Sequence, residues 1–340
     1  MREDSESQKK HSRTIRLQVL LLGATLLGAI YFGVIANGSL TPGSTLPDDR
    51  NAAENLATRT PFEKVVTLTP TQTPTPRPTP TPEPTPTPEG PPVSLLEDFE
   101  QLFPGIYYKR EANTTPRTFI AHIVVVDLSK KNINLMVTPE EGLGTTTSQF
   151  LLNYDLQLAI NGDGFFEKDD PIGLAAYKGK VYSDASGGPT IFILKNGDVK
   201  LGGNPPEKKI WYAVSGSHIL VRRGQVNESI NTCVQQMVYC MDLAPRTSVG
   251  ISAGNYMIII LVEGPASEPR DALTLQELAM LHIELGSVEA IAMDGGGSTT
   301  LVVDTGNGVE ILNNPSDGSE REVANHLGIY FGGRGNSDGE

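Results

Sequence analysis

A carboxylate, three glycines and a run of hydroxyl groups follow one another in residues 293–300, MDGGGSTT. The polar and glycine positions are Asp294, Gly295, Gly296, Gly297, Ser298 and Thr299. Glycine loses much conformational entropy on folding, so three in succession indicate a backbone that approaches a ligand closely. Unobstructed amides can form an anion-binding nest, and an adjacent aspartate can carry acid–base or nucleophilic chemistry. A glycine-rich β-turn without a ligand is the alternative interpretation.

A second polar cluster occupies residues 159–166, AINGDGFF. Asn161 and Asp163 are spaced by glycines at the end of an apolar run and are followed by two phenylalanines. Glycines at a strand end allow polar side chains and amides to face a cleft, which makes both residues candidates for a site. The alternative is a hairpin turn whose Asn and Asp are simply solvated.

A third cluster, APRTSVGI at residues 244–251, places Arg246 directly after a proline and before a predicted strand. The planar guanidinium offers a rigid set of donors that suits phosphate or carboxylate oxygens. Arg246 is therefore a candidate anion-binding residue. The alternative is a surface ion pair of little energetic consequence.

A fourth cluster, REVANHLGIYF at residues 321–331, brings Asn325 and His326 into the last predicted strand. We include both as candidate substrate-binding residues. The remaining histidines that fall within strand or helix patterns are interpreted as structural, namely His122, His218 and His282.

The reaction classes open to these residues are limited. A sugar-bond hydrolase commonly uses two carboxyl groups beside the scissile bond, and the candidates are Asp163, Glu263 and Asp294. A phosphate-binding loop of nucleotide hydrolases needs a lysine before Ser298 and a following helix, and this sequence has neither. A serine nucleophile is weakly supported because there is no G-x-S-x-G motif. Asp163 and Asp294 could hold a hard cation such as Ca²⁺ through oxygen ligands, but no spacing specifies a metal.

The elements that must position these residues are mostly strands. Apolar runs rich in Val and Ile predict strands at 119–129, 132–139, 189–202, 218–226 and 257–264. The segment LKNGDV within the third run predicts an Asn-Gly hairpin turn. The glycine stretch itself lies between two further apolar runs, VEAIAM and TLVVDT, and so reads as strand–turn–strand.

Two stretches predict helices. One covers residues 148–156 and the other residues 275–285, where Thr274 and Glu277 form a capping box and Gly286 ends the helix. Many strands with few helices that do not alternate regularly favour an α+β fold, with mixed and mostly antiparallel sheets in one globular domain.

Five segments in this order resemble the phosphodiester glycosidase family over roughly residues 119–332. They are NGDGFF, VSGSHILVRRGQVNES, APRTSVGI, VEGPASEPRDALTLQELAMLHIELGSVEAIAMDGGGSTTLVV and REVANHLGI. The chain departs from the family pattern at two places. One extra residue separates Asn161 from Phe166, and the family's Asp-Gly is Glu263-Gly264 here, so the preferred sugar does not carry over.

The resemblance implies hydrolysis of a sugar-1-phosphodiester, such as a GlcNAc-1-phosphodiester, on the glycosidic side, with release of free sugar and a phosphomonoester. The family's polar positions match Asn161, Arg246, Asp294, Gly295, Gly296, Gly297 and Ser298. We expect Arg246 and the amides of 295–298 to hold the phosphate. Asp294, with Asp163 or Glu263, would do the acid–base or nucleophilic work.

Two other functions remain open from the sequence. One is a non-catalytic glycan-binding module of the cell envelope that keeps the cleft without turnover. The other is a phosphodiesterase that cuts the phosphate side of the same bond. The products distinguish these three hypotheses.

The terminal regions have different compositions from the predicted domain. We predict a basic cytoplasmic N-terminus at 1–16, a transmembrane signal-anchor at 17–36, a disordered Thr/Pro-rich linker at 37–92, a phosphodiester glycosidase-like domain at 93–333 and a disordered tail at 334–340. This organisation places the domain on the extracytoplasmic side of a cell membrane, acting on envelope or exopolysaccharide glycans. The alternative is a secreted protein after cleavage of a signal peptide.

Charge and cysteine content restrict partners and compartment. The formal net charge is −13 with no basic stripe in the predicted domain, so we expect a glycan or sugar-phosphate substrate and no nucleic acid. Cys233 and Cys240 are the only cysteines. They predict either a small-loop disulfide in an oxidising compartment or two reduced residues, and two thiols alone are a poor metal site.

Overall fold

The computed structural model describes residues 93–184, 188–206, 208–235, 241–264 and 272–332. The predicted anchor at 17–36, the linker at 37–92, the tail at 334–340 and Cys240 lie outside the described residues. No helix in the described part of the chain is both long and apolar enough to cross a membrane.

Within these residues the strands, in chain order, are β1 (Glu100–Phe103), β2 (Ile106–Asn113), β3 (Phe119–Asp127), β4 (Ile133–Val137), β5 (Leu158–Asn161), β6 (Leu174–Tyr177), β7 (Lys180–Asp184), β8 (Thr190–Leu194), β9 (Val199–Gly202), β10 (Ile210–Ser215), β11 (His218–Arg222), β12 (Gln225–Val226), β13 (Arg246–Ser252), β14 (Tyr256–Val262), β15 (Ser287–Ala292), β16 (Leu301–Asp304), β17 (Val309–Ile311) and β18 (His326–Phe331). The α-helices are α1 (Thr147–Asn153), α2 (Glu228–Gln235) and α3 (Leu275–Glu284). Short 3-10 helices span Val93–Asp98, Glu140–Gly142 and Gly296–Ser298.

The strands form three sheets, and the described strand pairs are antiparallel. The large sheet has the order β1-β2-β3-β14-β13-β15-β11-β12, the second sheet β7-β6-β10-β8-β9 and the third sheet β17-β16-β5-β18-β4. Few helices accompany these sheets, so the predicted α+β class is confirmed.

The large sheet is buried on both faces, which explains its uninterrupted apolar strands. In β3, Val124 and Val126 join a core that all three sheets share, whereas Ile123 and Val125 pack on the opposite face. That opposite face is covered by α3 through Leu278 and its neighbours. Because alternate side chains of a strand point to opposite faces, both sets must be apolar in such a position.

The predicted helices are confirmed with small shifts at their ends. α3 begins after the Thr274–Glu277 capping box and buries Leu275, Leu278, Ala279 and His282. α1 begins after a second capping box, formed by Thr146 and Gln149. The sequence interpretation missed α2. Its start is marked by Asn227, whose Oδ1 accepts from the amide of Ser229, a recognisable N-terminal signal.

One predicted strand is a hairpin instead. The run at 218–226 turns back at Arg223 and Gly224, both with positive φ, so that β11 pairs with β12. Two consecutive positive-φ residues make the tight turn that suits a two-residue hairpin. The predicted Asn-Gly hairpin is confirmed, because β8 pairs with β9 around Gly197.

Candidate active site

The glycine stretch crosses from one sheet to another. β15 ends in the large sheet at Ala292, the 3-10 turn Gly296–Ser298 follows, and β16 begins in the third sheet at Leu301. The predicted strand–turn–strand context is therefore confirmed. Asp294 lies at the boundary between the two sheets, and its amide donates to the carbonyl of Gly162 at the end of β5, 2.9 Å away.

A different physical constraint favours glycine at each of the three positions. A Cβ on Gly295 would lie 2.6 Å from the carbonyl oxygen of Pro245. Gly296 adopts φ +60°, a conformation that favours glycine. A Cβ on Gly297 would collide with the side chains of Arg321 and Asp317. The turn therefore lies between Pro245 on one side and Arg321 with Asp317 on the other, and a side chain is most clearly excluded at Gly295, where it would meet backbone.

The amides of this turn are largely occupied by the protein. Gly296 N donates to the carbonyl of Pro245 at 2.9 Å, and Ser298 N donates to the carbonyl of Gly295 at 3.3 Å. The Gly295 amide bonds the carboxylate of Asp294. The expectation that the amides of 295–298 cradle a phosphate is therefore not met for these three groups.

Asp294 carries a half-buried carboxylate with donors on it. Burial raises its pKa, while hydrogen bonds from the Ser298 hydroxyl and the Gly295 amide and the charge of Arg321 act in the opposite direction. Burial is the largest of these effects, because removing a carboxylate from water disfavours its charged form. Asp294 as a residue is only partly buried, which leaves it open to contact with a ligand.

Asp163 lies beside Asp294 but is only 3 % exposed. Its Oδ2 accepts from the amide of Gly173, and its own amide donates to Oδ1 of Asn325 at 2.7 Å. Burial raises the pKa of Asp163 to about 7, the Gly173 and Gly164 amides oppose that rise, and the Asp294 charge adds to it. The charge of Asp294 therefore acts on Asp163, so the two carboxyl groups lie close to each other.

Asn161 anchors the turn from within the protein. It has no exposed surface. Its Nδ2 donates to the carbonyl of Asp294 at 2.9 Å, while its Oδ1 accepts from the Thr247 hydroxyl at 2.7 Å and the Thr300 amide at 3.2 Å. The side chain therefore joins β5, β13 and the start of β16, and it positions Asp294 rather than presenting itself to solvent.

Asn325 and His326 lie on the interior side of Asp163, and neither has exposed surface. The side-chain Oδ1 of Asn325 accepts a hydrogen bond from the Asp163 amide, and the backbone carbonyl of Asn325 accepts one from Gly162 N at 2.9 Å. His326 stacks on Phe150 with ring centroids 4.7 Å apart, and burial lowers its pKa to about 3. Both residues differ from the expectation of direct substrate contact, since buried side chains support the site from the interior.

Arg246 lies on the large-sheet side of the turn, at the start of β13. Its Nη2 donates to the carbonyl of Asp242 at 2.7 Å, and its Nε donates to the carbonyl of Leu273 at 3.3 Å. Burial is the main cause of the lowered pKa of Arg246. His218, which sequence reasoning treated as structural, is close enough for the Arg246 charge to lower its pKa, after the larger effect of burial.

Arg321 lies on the other side and was not among the sequence candidates. Its Nη1 donates to the Ser298 hydroxyl at 3.4 Å, and its Nη2 donates to Asp317 at 2.6 Å. The side chain is 42 % exposed. Arg321 follows Asp317 by four residues, a spacing typical of an ordinary surface ion pair. For that reason the sequence did not indicate a role for it in the site. The available signal was its position at the start of REVANHLGI, one of the five segments that resemble the family.

Glu263 lies apart from the two aspartates. It follows β14, and β13 separates β14 from β15 and hence from Asp294. Its Oε1 accepts from His122 Nε2 at 2.7 Å and from the Asn314 amide at 2.9 Å. The structure therefore brings together Asp163 and Asp294, but gives Glu263 a different set of partners.

The remaining candidate, Thr299, is 1 % exposed, and its amide donates to the carbonyl of Gly296 at 3.1 Å. The described residues contain no group of three or more His, Cys, Asp or Glu side chains arranged to hold a metal ion. Cys233 is disulfide-bonded, and the chain's other cysteine, Cys240, is not among the described residues.

Comparison with known proteins places the chain in a family. A family model described as phosphodiester glycosidase matches residues 154–330, just over half of the chain. The SPbeta prophage-derived uncharacterized protein YomE of Bacillus subtilis (strain 168) is 26 % identical over 209 residues, which cover 55 % of this chain and 30 % of that protein. The chain thus corresponds to under a third of that relative's length.

A solved structure shares the fold. The catalytic domain of zebrafish N-acetylglucosamine-1-phosphodiester alpha-N-acetylglucosaminidase, auto-inhibited by its pro-peptide, aligns with a TM-score of 0.56 at 20 % identity. The alignment covers 68 % of this chain and 85 % of the zebrafish domain. The family model includes Asp163, Arg246, Asp294 and Arg321 within its bounds. The chain belongs to the phosphodiester glycosidase family.

Proposed function

We propose that this chain is a membrane-anchored, extracytoplasmic hydrolase that cleaves the glycosidic bond of a sugar-1-phosphodiester in envelope or exopolysaccharide glycans. The observation that carries the proposal is the accessible Asp294 carboxylate beside a buried Asp163, with Arg246 and Arg321 on the two sides of the turn. An anionic diester needs cationic donors for its phosphate and a carboxylate at the sugar carbon.

The charge state of the aspartate pair supports this assignment. Asp163 has a pKa of about 7, so below that pH its carboxyl group is mostly neutral. Burial also raises the pKa of Asp294, but the Ser298 hydroxyl and the Gly295 amide donate to its carboxylate and favour the charged form. Two adjacent carboxylates share charge unequally because both cannot ionise cheaply. We assign the reacting carboxylate to Asp294 and a positioning and charge-tuning role to Asp163.

In the proposed reaction, water supplies the oxygen that becomes attached to the anomeric carbon. The bond between that carbon and the phosphate oxygen breaks, and its electron pair leaves with the phosphomonoester. Asp294 acts either as the base for this water or as the nucleophile that water later replaces. A phosphomonoester has a second pKa of about 6 and is stable as an anion near neutral pH, so it leaves without strong acid assistance.

The arginines bind the leaving group in this scheme. Arg321 approaches the turn from the third-sheet side and is partly exposed. Arg246 approaches from the large-sheet side, where it is directed by the Asp242 and Leu273 carbonyls. Bonds from arginine to phosphate oxygens strengthen as negative charge develops there, which lowers the barrier to bond cleavage.

The location in the proposal rests on the sequence. The apolar run at 17–36 follows basic residues, and Thr/Pro alternation of the kind found within 37–92 favours an extended spacer. We propose that the run anchors the protein and that the spacer holds the domain away from the membrane. Glycan substrates of the envelope are then within reach.

The test uses the full chain in detergent with an α-linked GlcNAc-1-phosphodiester, followed by proton and phosphorus NMR. We expect free sugar and a phosphomonoester, and a decrease in turnover of about 10²–10⁴-fold for Asp294→Asn. The matched control is Asp304→Asn, at the far end of β16, which should retain turnover. Sugar-1-phosphate as the product would indicate a phosphodiesterase, and binding without product would indicate a glycan-binding module. Either result would overturn the proposal.

A further inference from the structure

A group of exposed lysines surrounds the chain's only tryptophan at one end of the second sheet. We define this lysine–tryptophan patch by Lys178, Lys195, Lys208, Lys209 and Trp211. The four lysines are exposed and the tryptophan is partly buried. Such a local concentration of positive charge is unusual in a chain whose formal net charge is −13.

Three turns of the second sheet bring the patch together. Gly179 N donates to the carbonyl of Trp211 at 2.8 Å, and Lys195 N donates to the carbonyl of Lys209 at 3.2 Å. At Gly179, where φ is +82°, the position of an added Cβ is 3.6 Å from Lys209 Cε and 3.8 Å from the Trp211 ring. The lysines thus come from separate parts of the chain and meet on one surface.

The aromatic rings hold lysine ammonium groups in place. Lys195 Nζ lies 5.0 Å from the centre of the Trp211 ring, and Lys178 Nζ lies 5.7 Å from the centre of the Tyr177 ring. Cations are attracted to the faces of such rings, and the attraction is largest for tryptophan. Since Lys195 covers one part of the indole and the ring also packs against the shared core, Trp211 is better suited to orient charge than to stack a nucleic-acid base.

Among the described residues, one carboxylate pairs with the group formed by Lys195, Lys208 and Lys209. Lys208 approaches Asp198 at 3.4 Å, in a pair whose side chains are 67 % and 48 % exposed. Within the described residues, neither Lys195 nor Lys209 is within ion-pair distance of a carboxylate. Exposed pairs such as Lys208–Asp198 are weak and yield readily to another anion.

The patch and the candidate active site are connected by the same sheet. β10 runs from the patch at Trp211 to Ser215, and a Cβ on Gly173 would lie against the Ser215 hydroxyl and the Asp163 carboxylate. Four strand residues span roughly 13 Å at about 3.3 Å per residue. The patch and the residues beside Asp163 are therefore separated by a distance that a few repeats of an extended polymer can span.

We propose that the lysine–tryptophan patch binds a linear phosphodiester polymer and that the substrate of this enzyme is such a polymer rather than a small diester. The substrate part rests on the function proposed above, whereas the binding part does not. The phosphodiester polymer is favoured over other polyanions because the neighbouring site, by its family, acts on the same type of bond. Binding at the patch would keep the polymer close to the active site and offset repulsion by the acidic chain.

The test measures polymer binding with the full chain in detergent. The probe is poly(glycerol phosphate), and the signal is the intrinsic fluorescence of Trp211, which reports on the patch because the chain has no other tryptophan. We expect a saturable change whose midpoint weakens with salt. The variant Lys195→Glu/Lys209→Glu should bind at least tenfold more weakly. Its slope of log affinity against log salt should be shallower by roughly 1.4, at about 0.7 per phosphate contact.

The matched control is Lys130→Glu/Lys131→Glu, which makes the same charge change in the turn between β3 and β4. Retention of the polymer on beads provides a second readout that does not depend on tryptophan. Equal affinity of the patch variant and the control variant would overturn the proposal. An oligonucleotide of equal charge that binds as tightly, with the same dependence on Lys195 and Lys209, would also overturn it.

Turnover of the small GlcNAc-1-phosphodiester separates this inference from the proposed function. We expect Lys195→Glu/Lys209→Glu to cleave the small diester at the wild-type rate and a sugar-phosphate polymer more slowly. Polymer binding without cleavage of either substrate would refute the proposed function and leave the binding site. Cleavage with unchanged polymer kinetics in the variant would refute the polymer substrate and leave the proposed function.

Discussion

The amide of Gly173 donates to Oδ2 of Asp163. These two residues flank the segment 164–172, so the hydrogen bond joins its two ends. Between them the chain forms a small hairpin in which Phe166 N donates to the carbonyl of Asp170 at 3.1 Å. One buried carboxylate therefore has two tasks, since it closes this hairpin and also lies beside Asp294. Several measurable consequences depend on that arrangement.

The raised pKa of Asp163 should make stability depend on pH. The pKa of Asp163 is about 7 in the folded state, against an ordinary value of 3.8. Its contribution to the free energy of unfolding is therefore complete below pH 4 and is lost as the pH rises to 7. Asp163→Asn removes this loss. We expect the free energy of unfolding of the variant, relative to wild type, to improve by up to about 4 kcal/mol between pH 4 and pH 8. Urea unfolding at both values measures this, and a constant difference would contradict the raised pKa.

Gly173→Ala should destabilise the fold by about 1–3 kcal/mol, because the added Cβ meets Ser215 and lies 2.7 Å from Asp163 Oδ2. Turnover should decrease as well, since the Asp163 carboxylate is displaced. Gly203→Ala is the matched control, because a Cβ there meets nothing within 4 Å. Thermal unfolding of both variants checks the prediction, and an equal midpoint for the two would show that the close approach at Gly173 is tolerated.

Arg321→Gln should lower kcat/KM for the small diester by about 10- to 100-fold, as expected for a charge-assisted bond of roughly 1.5–3 kcal/mol. The fold should hardly be affected, because the Arg321–Asp317 pair is exposed. Asp317→Asn is the control, since it removes the partner and keeps the cation. Steady-state kinetics with the two variants decide the point. If Arg321→Gln had wild-type kinetics, phosphate binding would fall to other residues.

Glu263→Gln should keep turnover within a few-fold of wild type, in contrast to Asp294→Asn. Glu263 follows β14, two strands from β15, and contacts His122 and Asn314 instead of the aspartates. Some loss of stability is expected, since a hydrogen bond from a buried histidine to a carboxylate is weakened. Parallel kinetics and thermal unfolding test both parts. Loss of turnover with an unchanged fold would return Glu263 to the catalytic residues.

The elements and the residues of the turn were predictable because their signals are local. Apolar runs predicted β3 and β14, the Thr274–Glu277 capping box located α3, and the three glycines marked the turn after Asp294. Each signal requires only residues a few positions apart. The strand–turn–strand interpretation also followed from local hydrophobicity, and it excluded a nucleotide-binding loop.

Which side chains reach the surface was not predictable in this way. Asn161, Asn325 and His326 have the same polar character as Asp294, yet they are fully buried because neighbouring strands cover them. The sequence suggested only a surface ion pair for Arg321, whereas in the fold its guanidinium lies next to Gly297. Long-range packing decides both outcomes, and a single sequence without distances does not contain it.

The turn that bears Asp294 joins two sheets, and the two arginines beside it are carried by different sheets. Arg246 is carried by the large sheet, whereas Arg321 precedes β18 of the third sheet. Their separation is therefore set by how the sheets pack through the shared core, not by the turn alone. A substitution deep between the sheets is therefore expected to change the distance between the two guanidinium groups, and with it the phosphate binding proposed for them, without altering any residue of the site.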